Sequence, residues 1–443
     1  MLTIKGFLTI SRRIFFTETV FSSRLKIERL ITASVLYSGT ITAERSDAAI
    51  APVSPNSAVA SGMPTNVENG TIIDKYGNEV VLTGINLGGW LLQETWMCAV
   101  TGSECNSDSF TLLKSRGFSD GEIRTLFESY ADHYITEHDI ETIARLGLNC
   151  LRVPFWYRNF MDENLVYYEN DPDKNPGFLY LDRVIEWANK HGLYVILDMH
   201  GAPGGQSTDH SCGIIGKNEL YTKEENLAAM EELWTRIATR YRDNTTVAAY
   251  DIMNEPMNNN TAYENGWAAG STEAIEKTLS VYRRMIKAIR RVDEAHIITV
   301  EGIWSMSYLP NPKTEGWTNM MYQLHLYDST KDMIDYRIDE MVKARDEYGV
   351  AIYIGEYNNG DENQMYAYAK YRAEKISRTA WTYKTAKGNQ GNWSLYYSDT
   401  PAADLANDSY ETILQKWGDR LLTTSDGWTR NDTLRSWLMK YSK

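Results

Sequence analysis

The sequence predicts an α/β fold, a single (β/α)8 TIM barrel, on three observations. Eight short β-branched or apolar runs alternate with amphipathic helical stretches, the alternation is uninterrupted from about residue 67 onward, and polar residues recur at the C-terminal ends of the runs. At 443 residues the chain exceeds a minimal barrel of roughly 250 residues, but such barrels absorb insertions as one domain. No repeat of about 20–50 residues is visible, which argues against a solenoid or propeller.

The runs, in order, are VLTGIN (81–86), NCLRVP (149–154), LYVILDM (193–199), AAYDIMN (248–254), HIITVEG (296–302), MMYQLHLY (320–327), AIYIGEY (351–357) and RTAWTYK (378–384). Between them, HDIETIARLG (138–147), YLDRVIEWANKHG (180–192), NLAAMEELWTRIATRYR (226–242) and TEAIEKTLSVYRRMIKAIRRV (272–292) place apolar residues at helical spacing. Gly147 and Gly192 end two of these helices just before a strand, as left-handed caps do. Ahead of the first run, TIIDKYGNEV (71–80) reads as a hairpin with Gly77-Asn78 at its tip, with no function attached.

Residues 1–50 differ from the rest. Lys5, Arg12, Arg13, Arg24, Lys26 and Arg29 precede a mildly apolar stretch from Leu30 to Ala43, a signal-like leader that makes a secreted location the expectation. Residues 51–66, rich in Pro, Ser, Ala and Asn, read as a linker, and 67–443 as the barrel domain. No stretch reaches the roughly 18 apolar residues of a membrane-spanning helix, so membrane insertion is not expected.

Hydrophobic residues make up 43% and charged residues 23%, the balance of a globular chain. A formal charge of -14 would repel nucleic acid or an anionic membrane, so a neutral partner fits better, and a monomer is expected. The 13 Trp and 29 Tyr suit stacking on sugar faces and core filling alike. None of Cys98, Cys105, Cys150 and Cys212 lie in the close pairs of a zinc site, and Cys98 and Cys105 read equally as a short bridge or two thiols.

In a barrel of this type the active site lies at the C-terminal strand ends. Those ends supply Asn86, Arg152, His200, Asn254 with Glu255, His325 with Tyr327, Glu356, and Trp381; only the fifth run contributes nothing to this reading. Glu255 and Glu356, after runs four and seven, are the types needed for retaining glycoside hydrolysis, in which two carboxyl groups about 5 Å apart protonate the leaving oxygen and attack the anomeric carbon.

Arg152 in LRVPFWY, His200 in LDMHGAPGGQ, Asn254 and Glu255 in DIMNEP, His325 and Tyr327 in QLHLYD, Glu356 in IGEY and Trp381 in AWTYKT form an ordered set that resembles glycoside hydrolase family 5 over roughly residues 67–440. The resemblance implies a retaining β-glycoside hydrolase with Glu255 as acid/base and Glu356 as nucleophile. It implies Asn254 on the sugar 2-hydroxyl, Arg152 and Tyr327 orienting Glu356, Trp381 as a platform beneath the sugar, and His200 and His325 as further substrate contacts. Such chemistry needs no cofactor and no metal. GINLGGWLLQETWM (84–97) is similar to the first-strand region of fungal exo-β-1,3-glucanases, in which a glutamate matching Glu94 grips the terminal glucose. An exo-acting β-1,3-glucan hydrolase is therefore the expectation. The alternatives are a β-1,4 or mixed-linkage endoglucanase, or a glycosylceramidase-like enzyme with the same pair. The loop 204–218 departs from the yeast pattern after Gln206, as does the loop after Glu356, so the outer subsites are its own.

Overall fold

Eight strands, buried through their full length, close on themselves in the computed structural model of the protein. Residues 64–442 are described, apart from 75, 259–266, 329, 358–361, 387–392, 399 and 419–427. The leader and most of the linker segment lie outside the described residues; Pro64–Glu68 already forms a strand.

The barrel strands, numbered here in chain order, are β1 (Thr83–Asn86), β2 (Cys150–Trp156), β3 (Tyr194–Gly201), β4 (Val247–Asp251), β5 (Ile297–Glu301), β6 (Met320–Leu326), β7 (Ala351–Tyr357) and β8 (Ser377–Ala380). All neighbours are parallel, and β8 closes on β1 through Arg378↔Thr83 and Ala380↔Ile85. Every residue of every barrel strand is buried, because one face meets the barrel axis and the other the surrounding helices.

All four predicted helices form, at Glu137–Arg145, Pro176–His191, Glu224–Tyr241 and Thr272–Arg290. Gly192 caps the second with φ +73°, and its N–H returns to the carbonyls of Ala188 and Asn189. The predicted hairpin also forms: the Asp74 carboxylate accepts the N–H groups of Tyr76 and Asn78, both at 2.8 Å. It has a structural job, since Ile72 packs with Leu82, Tyr194, Ile196, Ile297, Met321 and Tyr353 inside the barrel.

Two runs stop earlier than expected. The β4 ladder ends at Asp251, after which Asn254 donates to the Met199 carbonyl at 3.1 Å while the chain turns into Glu255. β8 ends at Ala380 because the Tyr383 N–H is taken by the Asn86 carbonyl at 3.0 Å, and Lys384–Thr385 pairs outside the barrel with Tyr396–Tyr397. All four cysteines are buried thiols, and none of them is in a disulfide.

One irregularity aims the site. The register of β7 against β6 shifts between Ile354 and Glu356, which sets Glu356 beside His325. Residue 355 must be glycine for this: a Cβ there would lie 2.2 Å from Gln323 Oε1 and 2.7 Å from His325 Nε2.

Candidate active site

Arg152 is fully buried at the barrel axis, and burial works against its charge. It stays charged because three carboxylates surround it: Asp198 at 3.1 Å, Asp251 at 2.9 Å and Glu356 at 2.8 Å. Its remaining N–H groups reach Asn86 Oδ1 at 3.1 Å and Asn254 Oδ1 at 2.8 Å. The second oxygen of Glu356 accepts the Tyr327 hydroxyl at 2.6 Å. Burial, then the Glu356 charge, push the Tyr327 phenol far up, so it remains a donor. Asn254 receives Arg152 on its carbonyl oxygen, which leaves its amide N–H groups available to a ligand.

Glu255 stands on a left-handed backbone, φ +41°. Its Oε1 lies 3.0 Å from His325 Nδ1, its Oε2 accepts Asn258 Nδ2 at 2.7 Å, and its backbone N–H donates to Glu301 Oε2 at 2.7 Å. Burial holds its carboxyl above the usual range, against the Asn258 hydrogen bond. Burial pushes His325 down to about 3, so its imidazole is neutral and can donate from Nδ1 to Glu255. One donor atom each of Glu255, His325 and Glu356 lie within 4.8 Å of one another, a spacing that suits either a shared substrate atom or a cation.

These groups open on a cavity of about 550 Å3, lined also by Glu94, Trp96, His200, His210, Trp304, Trp381 and Trp393. His200 stacks on Trp381, rings 5.4 Å apart and 11° from parallel, and its Nδ1 is 2.7 Å from Asp198. Burial opposes the His200 charge, but Asp198 outweighs it and raises the pKa. Glu94 accepts Trp96 Nε1 at 2.8 Å and lies 3.3 Å from His210 Nε2, while His210 Nδ1 is 2.7 Å from Asp209. Those two carboxylates raise His210 to about 10, so it carries charge at neutral pH. Ser107 N–H also donates to the Gly213 carbonyl at 3.0 Å, so the β1 and β3 loops are joined twice along one side of the cavity. Beneath them, the buried Gln206 side chain donates to the carbonyls of His200 and Asn254, at 2.8 and 2.9 Å, and accepts the Ala202 N–H at 3.0 Å.

Residues 100–399 match the family model described as Cellulase (glycosyl hydrolase family 5). The chain belongs to glycosyl hydrolase family 5. Among its relatives are a beta-xylosidase of Phanerodontia chrysosporium, 28% identical over 78% of this chain and 76% of that one, and a glucan 1,3-beta-glucosidase of Blumeria graminis, 33% identical over 41% of this chain and 42% of that one. A probable glucan endo-1,6-beta-glucosidase B of Aspergillus flavus is 27% identical over 66% of this chain and 76% of that one. The solved rutinosidase of Aspergillus niger shares the fold at 17% identity, with a TM-score of 0.55 over 69% of this chain and 90% of that one. As a family 5 member the chain is a β-glycoside hydrolase, an O-glycosyl hydrolase with a glycan substrate.

Within this family 5 barrel, Glu94, His200, Asn254, Glu255, His325, Tyr327, Glu356 and Trp381 all line the one cavity. Arg152 does not line it and donates to Glu356 and Asn254, which do. Asp198, Asp251 and Glu301 went unnamed in the sequence reading, yet each is a charged residue within or closing an apolar run, and that is a detectable signal. β5 therefore does contribute, through Glu301. Trp96, His210, Trp304 and Trp393 sit on loops, where no periodicity marks them.

Proposed function

We propose that this enzyme releases single glucose units from the end of β-1,3-glucan with retention of configuration, with Glu356 as nucleophile and Glu255 as acid/base. The observation that carries the mechanism is one carboxyl oxygen each of Glu255 and Glu356 within 4.8 Å of the other, the close pairing of direct nucleophilic attack rather than the wider gap of an inverting pair. Glu255, whose carboxyl burial pushes above the usual range, gives its proton to the glycosidic oxygen while Glu356 attacks the anomeric carbon and the bond to the leaving group breaks. Glu255, now a carboxylate, then takes a proton from the water that hydrolyses the glycosyl ester and frees Glu356. Asn254 serves the 2-hydroxyl and Trp381, backed by His200, the sugar face. Trp304, 42% exposed in the same cavity as Glu255, offers an apolar surface for the leaving group.

Exo action is supported by the doubly joined β1 and β3 loops, which wall one side of the cavity around Glu94. The β-1,3 preference rests on the GINLGGWLLQETWM resemblance and on the glucan 1,3-beta-glucosidase relative. The endo-1,6 and xylosidase names of other relatives require pustulan and a β-xyloside beside laminarin and carboxymethylcellulose in the assay. Early products from laminarin are expected to be β-glucose alone, absent with Glu356→Gln and Glu255→Gln. Early oligosaccharides would end the exo assignment, and unchanged variants would end the catalytic one. A cation held by Glu255, His325 and Glu356 would occupy the oxygens this scheme needs free. Activity is therefore expected to survive chelator, and its loss there would favour a metal-dependent reading.

A further inference from the structure

Glu301 closes β5 and has no part in the exchange above. Its side chain is fully buried, and among the described residues no Lys or Arg nitrogen lies within 4.0 Å of it; the nearest basic group is His325, with Nδ1 at 3.6 Å. Its Oε1 has no hydrogen-bond partner, while its Oε2 accepts the Glu255 N–H at 2.7 Å. The arm that carries it is fixed, because the Tyr282 hydroxyl both donates to the Glu301 carbonyl at 3.0 Å and accepts the Glu301 N–H at 3.1 Å.

A carboxyl buried without a cation is a poor choice for stability alone. The amide it holds belongs to the left-handed residue Glu255, a conformation a side chain with a Cβ adopts reluctantly and that must be over-determined by its surroundings. That N–H, turned out of the sheet ladder, needs an acceptor, and Glu301 is the one it finds.

We propose that Glu301 is a positioning residue for the acid/base: by accepting the Glu255 N–H it fixes the left-handed turn that presents the Glu255 carboxyl to His325 and to the glycosidic oxygen. This rests on the reading of Glu255 as acid/base.

The test measures kcat/KM, which reports the steps through first bond cleavage, on two substrates. Laminaribiose has an alcohol leaving group that needs a proton, whereas 2,4-dinitrophenyl β-D-glucopyranoside has one that needs none. Glu301→Leu, which fills the space without an acceptor, is expected to lose about 100-fold on laminaribiose and under about threefold on the dinitrophenyl glucoside. Glu301→Gln keeps an acceptor oxygen and is expected to stay within about fivefold of the parent on both. Should Glu301→Leu fail to fold, Glu301→Asp, which withdraws the oxygen by one methylene, is expected to show the same split. Equal losses on both substrates, no loss, or a Gln variant as impaired as Leu would each overturn the proposal. Glu255→Gln serves as control. Absence of the split there removes the acid/base assignment itself, whereas a split there without one in Glu301→Leu removes only the positioning role.

Discussion

Glu356 and Glu255 face one cavity, but their surroundings differ in kind. Around Glu356 each oxygen has a donor, Arg152 at 2.8 Å on one and Tyr327 at 2.6 Å on the other, and the arginine is in turn held by Asp198 and Asp251. Around Glu255, among the described residues, there is no Arg or Lys within 4.0 Å, only a neutral His325, an amide from Asn258 and a second carboxyl, Glu301, that takes its backbone N–H. The first environment gives each carboxylate oxygen its own donor. The second makes both states of a proton accessible, since neither is locked by an ion pair. A pair of chemically identical side chains thus acquires two roles from what surrounds them.

The comparison breaks most sharply at the nucleophile. Glu356→Gln is expected to lower kcat by on the order of 10^5-fold or more, as loss of a covalent nucleophile does. Glu255→Gln is expected to cost about 10^2- to 10^4-fold on substrates with poor leaving groups. Equal losses in steady-state kinetics on those substrates would erase the asymmetry. Next in size, Arg152→Met strands three buried carboxylates and is expected to remove about 3–5 kcal/mol of stability in urea unfolding. A loss under about 1 kcal/mol would mean the charges are not balanced on Arg152.

The pH profile sharpens the other half. Protonated Glu255 is the competent form, so kcat/KM falls as pH rises through its pKa, and burial places that alkaline limb above the ordinary glutamate value of 4.5. Asn258 opposes that rise by donating to the carboxylate, so Asn258→Leu is expected to move the limb to higher pH. Movement the other way would contradict the cause assigned here. The smallest effect belongs to His210. Its folded pKa, about 10, lies above the ordinary imidazole value of 6.5, so its tie to Glu94 is complete below that ordinary value and is lost only as pH rises through about 10. His210→Ala is expected to raise KM for laminarin about two- to fivefold, and an NMR titration midpoint near 6.5 would show the tie to be absent.

Much of this was legible in the chain. All eight strands fall within a few residues of their runs, because most buried parallel strands leave apolar stretches bounded by helices and turns. The polar residues at their ends were found by position alone. The role of Asp198 and Asp251 is not legible in the sequence, because their partner, Arg152, comes from another strand, and only barrel closure brings the three together. Glu301 is silent for a similar reason: its partner is the Glu255 N–H, 46 residues away. The overshoot at residues 381–384 has another cause. The alternation there continues, but the Asn86 carbonyl captures the backbone and leads it out of the barrel.

Gln206 stands at a seam. Its amide ties the end of β3 to the Asn254 carbonyl, so the segment carrying Glu255 is braced from within the loop, with Ser207 adding a bond to the Asn258 carbonyl. Of the stretch that follows, Ser207 donates to the Asn258 carbonyl at 2.9 Å and so belongs with the support of Glu255, while Ile214 to Asn218 lie outside the cavity lining. A graft of that stretch from a relative, made to redirect the enzyme toward a different sugar, therefore has to keep Ser207.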